Sequence, residues 1–314
     1  MIIYNARRIN FRSFSAHSLQ ILHMSVALNN NETLILLVAK GQKQVVTDKL
    51  RMMYPENKFL PDVCEKFVFK NGVYYTRNLN SAFLHFLLLK KQILELHHRG
   101  TNRLYLVLLK IISLGRFLAV TNTRELRNYY ENYISKLIYC HNGYYSHEQN
   151  TSTGNYILHS GSLYKFDLHK FSSIINKISS QGLHFIHVGG TDDEIATLRT
   201  KVTHVNVDLF SSKSFAEVRE YQKKARAFLY YLDTKDKNNH ITSPLKLFEY
   251  LATEKPIICI GCGSISEILQ EDSYYSYDDF MNKESISLVR PKLSSSFNLS
   301  TWDDRAKLIL SKLK

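Results

Sequence analysis

Ser243-Pro244-Leu245-Lys246-Leu247-Phe248-Glu249-Tyr250-Leu251-Ala252-Thr253-Glu254-Lys255-Pro256-Ile257-Ile258 holds a helix start, a helix stop and the beginning of a strand. Thr242 or Ser243 supplies a capping hydroxyl, and Pro244 takes the first helical position, where no amide hydrogen bond is lost. The apolar run that follows Pro256 reads as a strand covered on both faces. Helix then buried strand is half of a βαβ unit, and the same alternation extends outward in both directions.

Towards the N-terminus of this stretch, strands are expected at 155–159, 183–188, 203–206 and 227–231, and this stretch adds 256–260. Helical patterns fall near 168–179, 191–200, 213–223 and 244–253, and a last helix is expected over 301–313. A polar stretch from about Tyr145 to Gly154 reads as a linker. Before it, strands are expected at 1–4, 33–38, 72–76, 92–96, 116–120 and 136–140, with helices near 15–28, 44–53, 80–90, 102–113 and 123–133. Runs such as Leu34-Ile35-Leu36-Leu37-Val38 are continuous rather than alternating, as parallel strands under two helical layers are. The fold class is therefore α/β, with two doubly wound parallel sheets built in series. The expected division is a domain over 1–150, a second over 151–300 and a terminal helix, 301–314, returning across the interface. Two such sheets facing a cleft would hold ligands at the carboxyl ends of their strands.

Charge is unevenly spread. Residues 1–150 carry 20 Lys+Arg against 9 Asp+Glu, a net of +11, whereas residues 151–314 carry 21 against 19, a net of +2. That asymmetry points to a polyanionic partner of the first half, or simply to a basic domain. No apolar run reaches the roughly 20 residues of a membrane span, and no secretory leader is expected. Cys64, Cys140, Cys259 and Cys262 are expected to be reduced core residues, because Cys259-x-x-Cys262 lacks a second ligand pair. No nucleic-acid motif is recognisable.

Lys246 and Glu249 share a helix face. Alone, such a pair reads first as a surface ion pair. The functional alternative is a diphosphate site formed by Lys246 and the free amides at the helix N-terminus, with Glu249 accepting hydrogen bonds from vicinal hydroxyls. Asp192-Asp193-Glu194 reads as an acidic helix start rather than a metal site, and Asp233-x-x-Asp236 lies in a polar loop.

The string SPLKLFEYLATEKPII resembles the donor-binding helix and following strand of glycosyltransferase family 4. Weaker similarities follow in order: Glu95-Leu96-His97 resembles the family's E-x-H segment, Thr121-Asn122-Thr123 its next strand end, and Ile138 to Gly143 the strand and turn closing the first domain. Leu158 to Leu163, Phe185 to Gly190 and Thr301 to Ala306 resemble the first two strands of the second domain and the final helix. The resemblance implies the GT-B fold and a retaining, metal-independent transfer from a nucleotide diphosphate-sugar, with no cofactor. It assigns the catalytic set to His97 (His98 as fallback), Lys246 and Glu249. Donor binding falls to Ser162, Lys165, Ser243, Pro244, Leu245, Lys246 and Glu249, with Lys170 as a second choice for the cation at Lys165. The acceptor set is Arg7, Arg8, Arg12, Ser13, Ser15 and His17, which could equally be a solvated basic edge.

Two departures stand out. A glutamate that many relatives carry ahead of Glu249 falls here at Ile241, and an arginine that follows the first loop glycine is replaced by Ser162. The function implied is transfer to a glycan or lipid-linked acceptor in surface polysaccharide or lipopolysaccharide assembly, by a cytoplasmic protein held peripherally at the inner face of the membrane. No nucleic acid and no stable protein partner are expected. The alternative is a catalytically silent GT-B subunit that binds a partner glycosyltransferase.

Overall fold

The computed structural model describes residues 1–12, 15–66, 70–100, 102–145, 154–164, 166–232, 241–261 and 263–313. The chain separates into two compact units. One comprises Met1–Tyr145, Ile241–Leu245 and Ser300–Lys314, and the other Ser146–His240 and Lys246–Leu299.

The first unit runs β1 (Ile2–Asn5), α1 (Ala16–Asn31), β2 (Leu34–Leu37), α2 (Lys43–Met53), β3 (Asp62–Cys64), β4 (Val73–Thr76), α3 (Leu79–Leu87), β5 (Lys91–Leu96), α4 (Arg103–Ser113), β6 (Phe117–Thr121), α5 (Arg124–Tyr130) and β7 (Leu137–Tyr139). Its seven strands are parallel in the order β3-β2-β1-β4-β5-β6-β7, so the winding reverses between β1 and β4. β2 and β6 are buried along their whole length, which explains why their sequences are apolar without alternation. Short polar side chains start the helices: Ser15 accepts from the Ser18 amide, Asn78 from Ser81, Asn102 from Leu104 and Thr123 from Leu126.

The second unit contains β8 (Tyr156–Ser160), α6 (Leu168–Ser180), β9 (His184–Val188), α7 (Asp192–Arg199), β10 (Val207–Phe210), α8 (Phe215–Lys224), β11 (Ala227–Tyr231), α9 (Leu245–Leu251), β12 (Ile257–Ile260) and α10 (Tyr277–Asn282). Its parallel order is β10-β9-β8-β11-β12, with the reversal between β8 and β11. The chain passes from the first unit to the second between Leu245 and Lys246, inside α9. Asp192, Asp193 and Glu194 form the first turn of α7, where Thr191 and Glu194 close a capping box.

The last helix, α11 (Trp302–Ser311), belongs to the first unit and packs on α1. Tyr144 and Thr301 pair as a parallel bridge, and a Cβ on Gly143 would stand 2.4 Å from the Trp302 nitrogen. Only glycine permits that approach. Ile241 also sits in the first unit, in an apolar cluster with Leu96, Leu126 and Tyr130.

The two doubly wound parallel sheets agree with the expected fold class; some element limits differ. The strand expected at 203–206 is β10, Val207–Phe210. Val205 is fully exposed, and the Asn206 side chain donates to the Ser179 and Leu183 carbonyls, so the chain joins the sheet only at Val207, opposite Phe185. β3 and α10 had no counterpart in the sequence reading; each is short and buries one hydrophobic side chain, Val63 and Phe280 respectively. Cys64, Cys140 and Cys259 are free thiols, and Cys262 lies outside the described residues. Among the described residues no helix is long and apolar enough to cross a membrane.

Candidate functional site

Each unit gathers polar side chains at the carboxyl ends of its strands, where ligands of doubly wound sheets bind. In the second unit, Lys246 and Glu249 lie one turn apart on α9, and Lys246 Nζ donates to Glu249 Oε2 at 2.7 Å. The same carboxylate oxygen accepts from Gln222 Nε2 of α8 at 3.2 Å. The Lys246 side chain keeps 30% of its surface in solvent and Glu249 keeps 12%, so the cation is the more accessible partner. Burial works against the Lys246 charge, but Glu249 outweighs it and raises the lysine pKa. Lys246 is therefore a cation at neutral pH, held by one carboxylate and reachable from water.

The next residue on α9 anchors this pair to the sheet. Tyr250 is buried and stacked on Phe228, and its hydroxyl accepts from the backbone amide of Ser160, the last residue of β8, at 2.9 Å. Beyond Ser160 the backbone turns tightly. A Cβ on Gly189 would stand 2.0 Å from the Gly161 carbonyl oxygen, so the loops after β8 and β9 touch backbone to backbone.

Beneath that contact lie two buried histidines. His159 Nδ1 and His187 Nδ1 are 2.9 Å apart with rings stacked, and His187 Nε2 is 3.1 Å from the Gly189 carbonyl. A carbonyl only accepts, so His187 carries its proton on Nε2 and its Nδ1 is bare. His159 must then donate from Nδ1, which leaves its Nε2 as an acceptor. Burial keeps both rings neutral, His187 with a pKa lowered to about 4 and His159 well below the ordinary value.

The remaining donor residues are spread. Ser162 is exposed beside Gly161, and Lys165 lies outside the described residues. Lys170 stands over the Tyr277 ring at 4.9 Å. Ser243, Pro244 and Leu245 are buried and belong to the first unit; the Ser243 hydroxyl has no hydrogen-bond partner among the described residues.

In the first unit the centre is Glu95, buried on β5. Arg305 of α11, fully buried, donates to Glu95 Oε1, while Tyr75 donates to Oε2 at 3.0 Å. Arg77 Nε lies 3.6 Å from Oε2, and His97 Nε2 lies 3.4 Å from Oε1. Burial would raise the carboxyl pKa; Arg305 and then Arg77 outweigh it and hold Glu95 well below the usual range. His97 Nδ1 is approached by two donors, Arg77 Nη2 at 2.7 Å and Asn122 Nδ2 at 2.9 Å. Guanidinium and amide nitrogens only donate, so His97 is bare at Nδ1 and protonated at Nε2. Burial, reinforced by Arg77, lowers its pKa to about 3. His97 is thus a neutral ring with a fixed tautomer, and its side chain is 13% exposed.

Of the expected acceptor residues, Arg7, Arg8 and Arg12 are exposed on the segment after β1, beside the reversal of winding. Ser15 is exposed but its hydroxyl caps α1. His17 is exposed, its ring 6.0 Å from that of His97, and its carbonyl accepts from Arg77 at 3.4 Å. Ser13 lies outside the described residues. The structure therefore brings His17 and His97 together, and Lys246 and Glu249 together. Arg77, Asn122, Gln222 and Tyr250 were not among the expected residues, and they hold the expected ones in place. Asn122 was visible at a strand end; the others carry no local signal. No group of three or more His, Cys, Asp or Glu able to hold a metal occurs among the described residues, and Asp233 and Asp236 lie outside them.

No family model and no curated relative matches the chain. Solved structures do. The chain is similar to AviGT4, a glycosyltransferase involved in avilamycin A biosynthesis, at 11% identity over 99% of this chain and 96% of that one, with a TM-score of 0.63. It is similar to the apo form of the lipopolysaccharide outer core galactosyltransferase WaaB, at 9% identity over 89% and 88%, with a TM-score of 0.56. It is also similar to the UDP-GlcNAc 2-epimerase from Neisseria meningitidis bound to UDP-GlcNAc, at 10% identity over 99% and 98%, with a TM-score of 0.54. At these identities the likeness is one of fold, and the fold is that of the GT-B glycosyltransferases.

Proposed function

We propose that the chain is a glycosyltransferase that moves a sugar from a nucleotide diphosphate-sugar to a glycan or lipid-linked acceptor in surface polysaccharide or lipopolysaccharide assembly. The observation that carries this reading is the solvent-reachable Lys246 cation, paired with Glu249 and tied through Tyr250 to the end of β8. A leaving diphosphate needs its developing charge neutralised, and an oriented ammonium does this without a metal. Glu249 can accept from ribose hydroxyls, and Ser162, Lys165 and Ser243 to Leu245 complete the donor set. Transfer with retention and independence of metal are part of the proposal, carried by the resemblance of the α9 segment to family 4.

His97 is assigned to the transferred sugar and the Arg7, Arg8, Arg12, Ser13, Ser15 and His17 group to the acceptor. The carboxylate absent at Ile241 is consistent with the apolar cluster that holds this side chain, and it motivates the second reading, a silent subunit that binds a partner glycosyltransferase. The protein is placed at the anionic inner face of the cytoplasmic membrane. A calorimetric titration with a panel of nucleotide sugars, followed by a donor-hydrolysis screen, tests both readings. Binding with turnover supports the enzyme, binding without turnover the silent subunit, and no binding to any nucleotide sugar refutes the assignment.

A further inference from the structure

α4 is apolar on two faces. Leu109 and Ile112 enter the core of the first unit, while Leu104, Val107, Ile111 and, just past the helix end, Leu114 are exposed. At about 100° per residue these four fall within roughly 80° of one another, on the side away from the core pair. Leu104 is 62% exposed and Leu114 82%. α3 packs against α4 and ends in the same manner, with Leu87 and Leu89 in solvent.

Leu89 is the more informative. Its φ of 52° is left-handed, the conformation of a helix C-terminus that glycine or asparagine normally fills. The Lys90 amide donates to the His85 carbonyl and the Leu89 amide to Phe86, closing this terminal turn. A leucine here bears backbone strain that glycine would not, and its side chain is 84% exposed, so the fold gains nothing from its bulk.

The charges around this surface have one sign. Lys90 follows Leu89, Arg103 and Lys110 lie along one edge of the exposed stripe of α4, and Arg116 follows Leu114 by two residues. None of the four is in an ion pair among the described residues. From Lys66 to Arg124 the sole acidic residue is Glu95, which is buried against Arg305. Strongly apolar side chains bordered by cations that are in no ion pair among the described residues match a bilayer whose headgroups are anionic.

We infer that the α3–α4 face is a membrane-docking surface, with Leu87, Leu89, Leu104, Val107, Ile111 and Leu114 entering the acyl boundary and Lys90, Arg103, Lys110 and Arg116 meeting anionic headgroups. The inference rests on the membrane placement of the proposed function and adds to it an apolar component that salt does not screen.

The test is co-sedimentation with phosphatidylcholine–phosphatidylglycerol vesicles and with pure phosphatidylcholine vesicles, at low and high salt. Wild-type protein binds the mixed vesicles, and a fraction stays bound at high salt. The triple substitution Leu87→Ser, Leu104→Ser, Leu114→Ser weakens mixed-vesicle binding on the order of a hundredfold and removes the salt-resistant fraction. Lys90→Gln with Lys110→Gln and Arg116→Gln removes the preference for anionic lipid. Leu89→Gly separates docking from folding, since it lowers vesicle binding while the melting temperature holds or rises. Wild-type-like binding by the leucine variants overturns the inference, as does complete release of the wild type by salt. Self-association that the same leucine changes abolish, without vesicle binding, assigns the face to a second copy instead and also overturns it. Calorimetry with nucleotide sugars runs in parallel: vesicle binding without nucleotide-sugar binding refutes the transferase reading alone, and the converse refutes this surface alone.

Discussion

Glu95→Gln is the substitution whose consequence the structure specifies most fully. The replacement keeps the shape of the side chain and removes its charge, leaving fully buried Arg305 and nearly buried Arg77 without a carboxylate. The new amide also turns a donor toward one of its partners, Arg305, His97 or Tyr75, where the carboxylate only accepted. Removing one member of a buried pair costs about 3–5 kcal/mol, because the surviving charge stays in a poor solvent, against about 0–1 kcal/mol for an exposed pair. With a domain's whole stability near 5–15 kcal/mol, the loss is large. Trp302, the single tryptophan, lies three residues before Arg305 and stacks on His23, so its fluorescence in urea reports on this unit. Glu95→Gln with Arg305→Met should cost less than the sum of the single changes, since no buried guanidinium then remains on α11. The acid limb gives a second readout. Glu95 is held well below its unfolded value, so its stabilisation is full above the unfolded carboxyl pKa and is lost as pH falls through the folded one. The variant should show a flatter acid limb. A loss under about 1 kcal/mol, with strict additivity in the double variant, would refute the reasoning.

Lys246→Ala and Glu249→Ala should each weaken nucleotide-sugar binding by about 1.5–3 kcal/mol with the fold intact, and unchanged calorimetric affinity in both moves the donor site elsewhere. His97→Ala should lower turnover far more than donor affinity; wild-type turnover would transfer the role to His98 or to no histidine. EDTA should leave the rate unchanged, and inhibition reversed by magnesium or manganese overturns metal independence. His85 is fully buried with no hydrogen bond to either ring nitrogen among the described residues, and burial lowers its pKa to about 4. The unfolded chain therefore binds this proton first, and stability falls as pH drops from about 6.5 towards 4. His85→Leu should raise the melting temperature, more at pH 5 than at pH 7, and an equal effect at both pH values would show that the ring titrates in the folded protein as it does in the unfolded chain.

What was legible in the sequence is what depends on nearest neighbours. Caps, apolar strands and the Lys246–Glu249 spacing are all local, and they were enough for two parallel sheets and for the Lys246–Glu249 pair. Partners distant along the chain left no such trace. Nothing near Glu95 announces Arg305, and nothing near Lys246 announces Gln222. β10 was displaced because Thr203 to Asn206 is as strand-like as the residues that pair, and only the Asn206 side-chain bonds decide where pairing begins.

Glu95-Leu96-His97 and α4 show how the same local pattern can serve two ends. The first reads as a catalytic signature, yet Glu95 is the counter-charge of a buried arginine and acts on His97 through geometry: with Arg77 and Asn122 it leaves the ring one tautomer and no charge. Near neutral pH His97 is therefore a neutral ring, and its one N–H, on Nε2, is buried and faces Glu95. α4 makes the opposite point. Apolar residues all round a helix ordinarily mean burial on all sides, but here Leu109 and Ile112 take the core and Leu104, Val107 and Ile111 take the water. Hydropathy alone does not tell the Leu109–Ile112 side from the Leu104–Ile111 side; the packing of α3 and β6 against one of them does, and it leaves the other exposed.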